Sequence, residues 1–238
     1  MKILARKKIV FVIVEGPSDD TALGVLLSKI YDKDTVYVHI WRGDITSDNK
    51  VNASNIISKI GNAVKSYARS QHFTNKHFAE IIHIVDMDGA YIPNDHILKD
   101  ENLEKNVYGL TMIKTVDPDA IIQRNERKRS NINKLCGCKE IWSIPYRVYY
   151  MSSNLDHVLY GKLNSTDEEK ENDAYQFAKK YSKNIEGFLK YIIESDFSVM
   201  GEYKESWDFI KQGLHSLERY TNLGIELGKI NERVSEVK

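Results

Sequence analysis

The chain has 238 residues, 42% of them apolar and 10% aromatic, which allows one large domain or a core domain with an appendage. Lysine plus arginine equals aspartate plus glutamate at 34 each, so no global field draws in a polyanion and any nucleic-acid contact must be local. The apolar run from Ile9 to Val14 is too short to span a bilayer and lacks a signal peptide's cleavage site, so a cytoplasmic protein with no membrane partner is expected.

Lys8 to Val14 reads as a buried strand, broken at Glu15-Gly16-Pro17. A helix follows over Ser18 to Tyr31, with Ala22, Leu23, Leu26, Leu27 and Ile30 at helical spacing. Thr35 to Trp41 alternates as a second strand, and Gly43-Asp44 turns the chain. Asn52 or Ser54 opens a helix with Ile56, Ile57, Ile60, Val64 and Tyr67 on one stripe, and Ala79 to Val85 is the third strand. This alternation predicts an α/β fold with a parallel sheet, right-handed crossovers and flanking helices. A helical insertion at about 95–140 then precedes a strand at Tyr146 to Tyr150.

From Ser165 only helices are expected, beginning with an acidic first turn at Asp167-Glu168-Glu169. Tyr175, Phe177, Ala178 and Tyr181, then Phe188, Leu189, Ile192 and Ile193, then Trp207, Ile210, Leu214, Leu217 and Tyr220 supply stripes for a C-terminal bundle. The expected division is an α/β domain over 1–162 and a helical subdomain over 163–238, with the polar tail Asn231 to Lys238 frayed.

Two acidic stretches about seventy residues apart carry the chemistry. Glu15 follows the first strand, and Asp86-Met87-Asp88-Gly89 ends the third. Acids at those strand ends emerge where an open α/β sheet places its ligands. A Glu beside an Asp-x-Asp pair carries a charge of about −3, which repels itself unless a hard cation such as Mg²⁺ lies between them. Asp156 brings a third acid to the same edge. A haloacid-dehalogenase opening also uses Asp-x-Asp-Gly, but Ala90 stands where that family has a hydroxyl, and no later Asp-Asp pair or Gly-Asp-x-x-x-Asp follows. A calcium-binding EF-hand loop would need an oxygen ligand at Ile84 and a Glu near Tyr91.

Glu15, Gly16 and Asp19 in the first motif, Gly43 after the second strand, and Asp86 and Asp88 in the second motif resemble the topoisomerase-primase (Toprim) family over roughly residues 7 to 160. Asp19, four residues after Glu15, and Asp156, in an acid-then-apolar segment, are similar to positions in its nuclease branch, that of the overcoming-lysogenization-defect proteins and related phage-defence effectors. The resemblance implies a Toprim-like Rossmannoid sheet and a nuclease hydrolysing phosphodiester bonds in DNA or RNA. It assigns Asp86, Asp88, Asp19 and Asp156 to hold Mg²⁺ or Mn²⁺, and Glu15 to complete the metal shell or shuttle a proton. No Gly-x-x-x-x-Gly-Lys-Ser/Thr loop is present, so an ATPase partner would be a separate protein. A non-catalytic metal- or nucleic-acid-binding module is the alternative, and the amphipathic C-terminal helices could dock a partner or a second copy.

Arg124, Arg127, Lys128 and Arg129 lie in a run with five basic residues against one acidic, on a helix opened by Asp117-Pro118-Asp119. This run reads either as a phosphate-binding face or as a solvated helix face. His83 reads as a core residue, and Asp44 as a turn residue at a strand end. His157 reads as a phosphate contact or as a capping or surface residue, and Trp142, Tyr146, Tyr149 and Tyr150 as core or base-stacking aromatics. Cys136 and Cys138 read as ordinary reduced thiols, with no second pair at zinc-ligand spacing.

Overall fold

The computed structural model describes residues 7–31 and 36–236. Thr35, the expected start of the second strand, and Val237 and Lys238 of the tail lie outside them. In chain order the first half comprises β1 (Lys8–Val14), α1 (Pro17–Ile30), β2 (Val36–Arg42), α2 (Ile56–Ser70) and β3 (Phe78–Asp86). The insertion holds β4 (Ile97–Lys99), β5 (Val107–Tyr108), β6 (Ile113–Thr115) and α3 (Pro118–Cys136). Then come β7 (Glu140–Ile141), β8 (Ile144–Met151), α4 (Leu155–Tyr160), α5 (Asp167–Tyr181), α6 (Ile185–Glu194), α7 (Tyr203–Ile210) and α8 (Leu223–Glu236).

The main sheet runs β2-β1-β3-β8-β7. Its first four strands are parallel, and β7 pairs antiparallel with β8, so the sheet is mixed where a parallel one was expected. The cause is a tight hairpin: Trp142 and Ser143 both have positive φ, 53° and 57°, the conformation a two-residue primed turn demands. Neither residue is the glycine or asparagine that would announce such a turn.

Both faces of β1 are covered, which is why its sequence is continuously apolar rather than alternating. Val10, Val12 and Val14 face α1, α5, α6 and α8, and Ile9, Phe11 and Ile13 face α2, α3 and α7. Each of its six buried side chains contributes about 1.5–3 kcal/mol relative to exposure. Because α1 and α2 cross on opposite faces, the chain reverses direction across the sheet between β1 and β3. That reversal opens a crevice at the carboxyl ends of these two strands.

The insertion is not purely helical, since β4, β6 and β5 form a small sheet before α3 begins. Strands of two or three residues are shorter than any window in which periodicity registers. The C-terminal helices do not keep a core to themselves. Phe177, Phe188 and Leu227 join the core that includes Val10, while Trp207 and Ile210 of α7 join the one on the opposite face. The expected stripe continuing α7 stops at Ile210, and Leu217 packs instead with Ile92, after β3, and with Ile113 of the insertion. Tyr175, placed in the α5 stripe by its spacing, is 56% exposed. The start of α5 follows expectation, with Thr166 and Glu169 capping each other's backbone amides. The tail expected to fray is helical through Glu236.

Candidate functional site

Three acid-bearing turns leave the same edge of the sheet, after β1, β3 and β8. Glu15 directly follows β1, and its Oε1 accepts hydrogen bonds from the Asp86 backbone N–H at 3.1 Å and the Lys128 ammonium at 3.5 Å. Thr46 Oγ1 lies 3.2 Å from Glu15 Oε1 and 3.2 Å from Asp44 Oδ1. Burial, reinforced by the neighbouring Asp44, Asp88 and Asp19 and opposed by Lys128, pushes Glu15 up to about 8. Asp86 is raised well above the usual carboxylate range by burial and by Glu15, Asp19 and Asp88.

Asp88 stands on a strained turn, with φ of +48° followed by +66° at Gly89. A Cβ on Gly89 would lie 2.6 Å from Leu217 Cδ2, so both conformation and space require glycine there. The turn is gripped from several sides. Asp88 N–H donates to Ser153 O (2.7 Å) and Gly89 N–H to Ser216 O (3.1 Å), while Arg124 donates to Asp88 O (2.8 Å).

The basic run on α3 corrects one expectation. Positions 124 and 128 are one helical turn apart on the side that buries Ile121, Asn125 and Ile132, so their cationic ends turn inward to the acids. Lys128 has a fully buried side chain that pairs with both Asp88 and Glu15, and Arg124 lies 3.9 Å from Asp88. Against burial, which would lower it, Asp88 and Glu15 hold the Lys128 ammonium far above its usual range. Burial would raise Asp88 too, but Lys128 and Arg124 bring it below the ordinary value. Arg127 donates to Ser47 O at 3.3 Å, pinning the loop after β2, and Arg129 is half-buried. The four residues are therefore not a uniform solvent-facing strip for phosphates.

Asp19 and Asp156 form the other side of the edge. Asp19 sits on the first turn of α1, where its Oδ2 accepts the Gly16 N–H at 2.8 Å. Burial raises it, opposed by that bond and by Lys170. Asp156 is 5% exposed, with Lys170 Nζ 3.9 Å from its Oδ2 and no hydrogen-bond partner for Oδ1. Burial pushes it up to about 6. His157 is buried beside it with neither ring nitrogen bonded, and burial followed by Arg219 brings it down to about 4. That arrangement is neither the phosphate contact nor the cap expected of His157; the cap of α4 is Asn154, which accepts the His157 N–H.

Asp44 serves as a turn residue, accepting the Ser47 N–H at 3.0 Å, and also adds negative field at Glu15. His83 is a core residue with its Nδ1 2.8 Å from the Tyr146 hydroxyl. Tyr146, Tyr149 and Tyr150 are buried and cannot stack on bases, and Trp142 is half-buried. Cys136 and Cys138 are free thiols.

The acids offer only oxygen donors, which suits Mg²⁺ or Mn²⁺. Burial, with the mutual repulsion of the acids, raises Glu15 and Asp86, and Asp156 Oδ1 has no partner, so this edge offers oxygens that a cation could take up. Among the described residues, however, no three of these groups stand at ready metal-ligand geometry. Between Glu15 and Asp88 the position of a cation is taken by Lys128.

Sequence reasoning missed Thr46 and the inward turn of Lys128. Thr46 has no signature beyond following Asp44, but the four-residue spacing of Arg124 and Lys128 around Asn125 and Ile132 was a readable sign of a buried cationic face. Comparison with family models, with curated proteins and with solved structures found no match.

Proposed function

We propose that the chain is a Toprim-like nuclease that uses Mg²⁺ or Mn²⁺ to hydrolyse phosphodiester bonds in DNA or RNA. The observation that carries this reading is the convergence of Glu15, Asp86 and Asp88 at the reversal point of the sheet, with Lys128 and Arg124 facing them. Asp86 and Asp88 would hold the ion, with Asp19 and Asp156 on the adjoining side. A divalent ion at such a site supplies positive charge against the phosphoryl oxygens and makes a water more acidic.

The chain's own residues account for the rest. Glu15, raised to about 8 mainly by burial, holds a proton at neutral pH and is placed to exchange it with a substrate oxygen. Arg124 and Lys128 neutralise Asp88 and orient a phosphate, with Arg124, the less buried of the two, offering its guanidinium. Thr46 holds Glu15 in place. The resemblance extends the proposal to a phage-defence effector whose ATPase is a separate chain.

The test is a cleavage assay on a panel of DNA and RNA with Mg²⁺ or Mn²⁺, with EDTA, and with Glu15→Ala and Asp86→Ala. Cleavage abolished by EDTA and by both substitutions supports the proposal. The place Lys128 takes between Glu15 and Asp88 favours a second reading, a binding module without turnover. Wild-type protein that binds the ion yet leaves every polymer intact would establish that reading instead.

A further inference from the structure

β2 is an edge strand, and among the described residues nothing pairs with its outer side. Proteins usually guard such an edge with lysine, proline, a bulge or a very short strand, because its bare N–H and C=O groups are a template for another chain. None of these guards β2, which runs for seven residues in unbroken register against β1 and carries one cation, Arg42, at its end. The Gly43 N–H donates to Val14 O at 2.9 Å, and Val14 stands opposite Arg42. Peptide groups alternate sides along a strand, so those of Tyr37, His39 and Trp41 turn toward β1 and those of Val36, Val38, Ile40 and Arg42 point outward. Beside this edge runs an open groove of 800 Å³ between α1, β2 and α5, on which the exposed side chains of Val25, Tyr37 and Tyr175 gather. Exposed apolar surface collected in one place marks an interaction site.

The symmetry of the strand identifies the occupant. Set antiparallel to itself about His39, β2 places Val38 opposite Ile40 and Tyr37 opposite Trp41, so β-branched side chains meet on one face and rings on the other. In that register Val38 and Ile40 exchange their outward N–H···O bonds, and Val36 and Arg42 do the same. Burial holds His39 below its usual value, so the two imidazoles at the axis meet without like charge at neutral pH. The axis stands normal to the sheet and turns α1 end for end. Asp20 in the first turn of one α1 is thereby brought toward Lys29 in the last turn of the other, opposite in charge. Asp20 already pairs with Arg42 at 3.0 Å but is only half-buried, and Lys29 is exposed. We infer that a second copy of this chain docks on the β2 edge, its own β2 running antiparallel about His39, and joins the two five-stranded sheets into one. The inference goes beyond the proposal for the acidic edge and stands without it.

Sedimentation velocity on the full chain, under reducing conditions and at concentrations up to ~100 µM, tests it. A reversible dimer is expected. Val38→Pro removes one outward N–H and no bond to β1, and Tyr37→Lys sets a charge against the facing Trp41, so each should raise the dissociation constant roughly tenfold or more. Leu110→Lys, at an exposed apolar side chain of the insertion, should leave it unchanged. Under mild oxidation His39→Cys should form a covalent dimer across the axis, above the background that Cys136 and Cys138 give in the wild type. The more exposed Tyr37→Cys should not, since in this register the two positions 37 lie ~13 Å apart at ~3.3 Å per residue. A monomer at every concentration overturns the inference and leaves the edge to an extended segment of another protein. So does a dimer that keeps its affinity in both Val38→Pro and Tyr37→Lys, which would place the interface elsewhere, or one that cross-links through Tyr37→Cys and not through His39→Cys.

Discussion

Asp88, on the turn after β3, sits against the Lys128 ammonium and 3.9 Å from Arg124, whereas Asp156, after β8, has only Lys170 at 3.9 Å and an Oδ1 with no partner. Burial pushes both upward, yet the half-buried Asp88 is held below the usual carboxylate range and the buried Asp156 is pushed up to about 6. Burial acts the same way on both. What separates them is charge compensation, and it comes from α3, a helix far along the chain from either acid.

Lys128→Met should sharpen the contrast most. Removing the only fully buried cation at this edge among the described residues leaves Asp88 with Arg124 alone, at 3.9 Å, and should cost about 3 kcal/mol in EDTA, read by urea unfolding. Mg²⁺ should restore part of that loss. A variant as stable as wild type in EDTA would show that Lys128 does not neutralise the site.

Cleavage should respond unequally on the two sides. Under the proposed function, Asp88→Asn should reduce the rate about 100-fold and Asp156→Asn about 10-fold, in single-turnover assays at saturating Mg²⁺. Equal losses would erase the distinction between the two acids.

The pH dependence of stability should differ in sign between Asp156 and its neighbour His157. Asp156 is raised mainly by burial, so between about pH 4 and 6 the native state keeps a proton that the unfolded chain has released, and its contribution falls as pH rises through that window. His157 is lowered to about 4, so its contribution falls as pH drops from 6.5 toward 4. Asp156→Asn should remove the first slope, and His157→Leu should flatten the second without loss at pH 8, since no hydrogen bond is given up. Urea unfolding across pH 4–8 reads both, and parallel curves for the two variants would contradict these protonation states.

The smallest effect belongs to Arg129, half-buried and outside the pairs that hold Asp88 and Glu15. Under the proposed function, Arg129→Ala should weaken nucleic-acid binding less than about tenfold and lower the salt slope by about 1. An unchanged slope would leave α3 with an inward, site-building role alone.

The strands β1 and β3 were legible because most of their residues are buried. Lys8 to Val14 is β1 to the residue, and the run around Ile81 to Val85 is β3. The positions of Glu15 and Asp86 at strand ends followed from where those runs stop, and Asp156 from the helix start that follows β8. Less legible were elements whose signal is shorter than a turn of helix or a few strand residues. β4 to β6 are too brief for periodicity, and the β7 hairpin turns on Trp142 and Ser143 in a backbone conformation that their side chains do not advertise.

The local pattern of apolar runs and capping residues therefore marks the longer strands, the acids Glu15 and Asp86 at their ends, and the start of α5, because side-chain spacing and capping are read between near neighbours in the chain. The protonation of those acids was decided by the tertiary fold. It brought Lys128 113 residues along the chain to Glu15, and left Asp156 with a distant lysine and a histidine that has no partner. A carboxylate's charge depends on the field of everything packed around it, and that field exists only once distant segments meet.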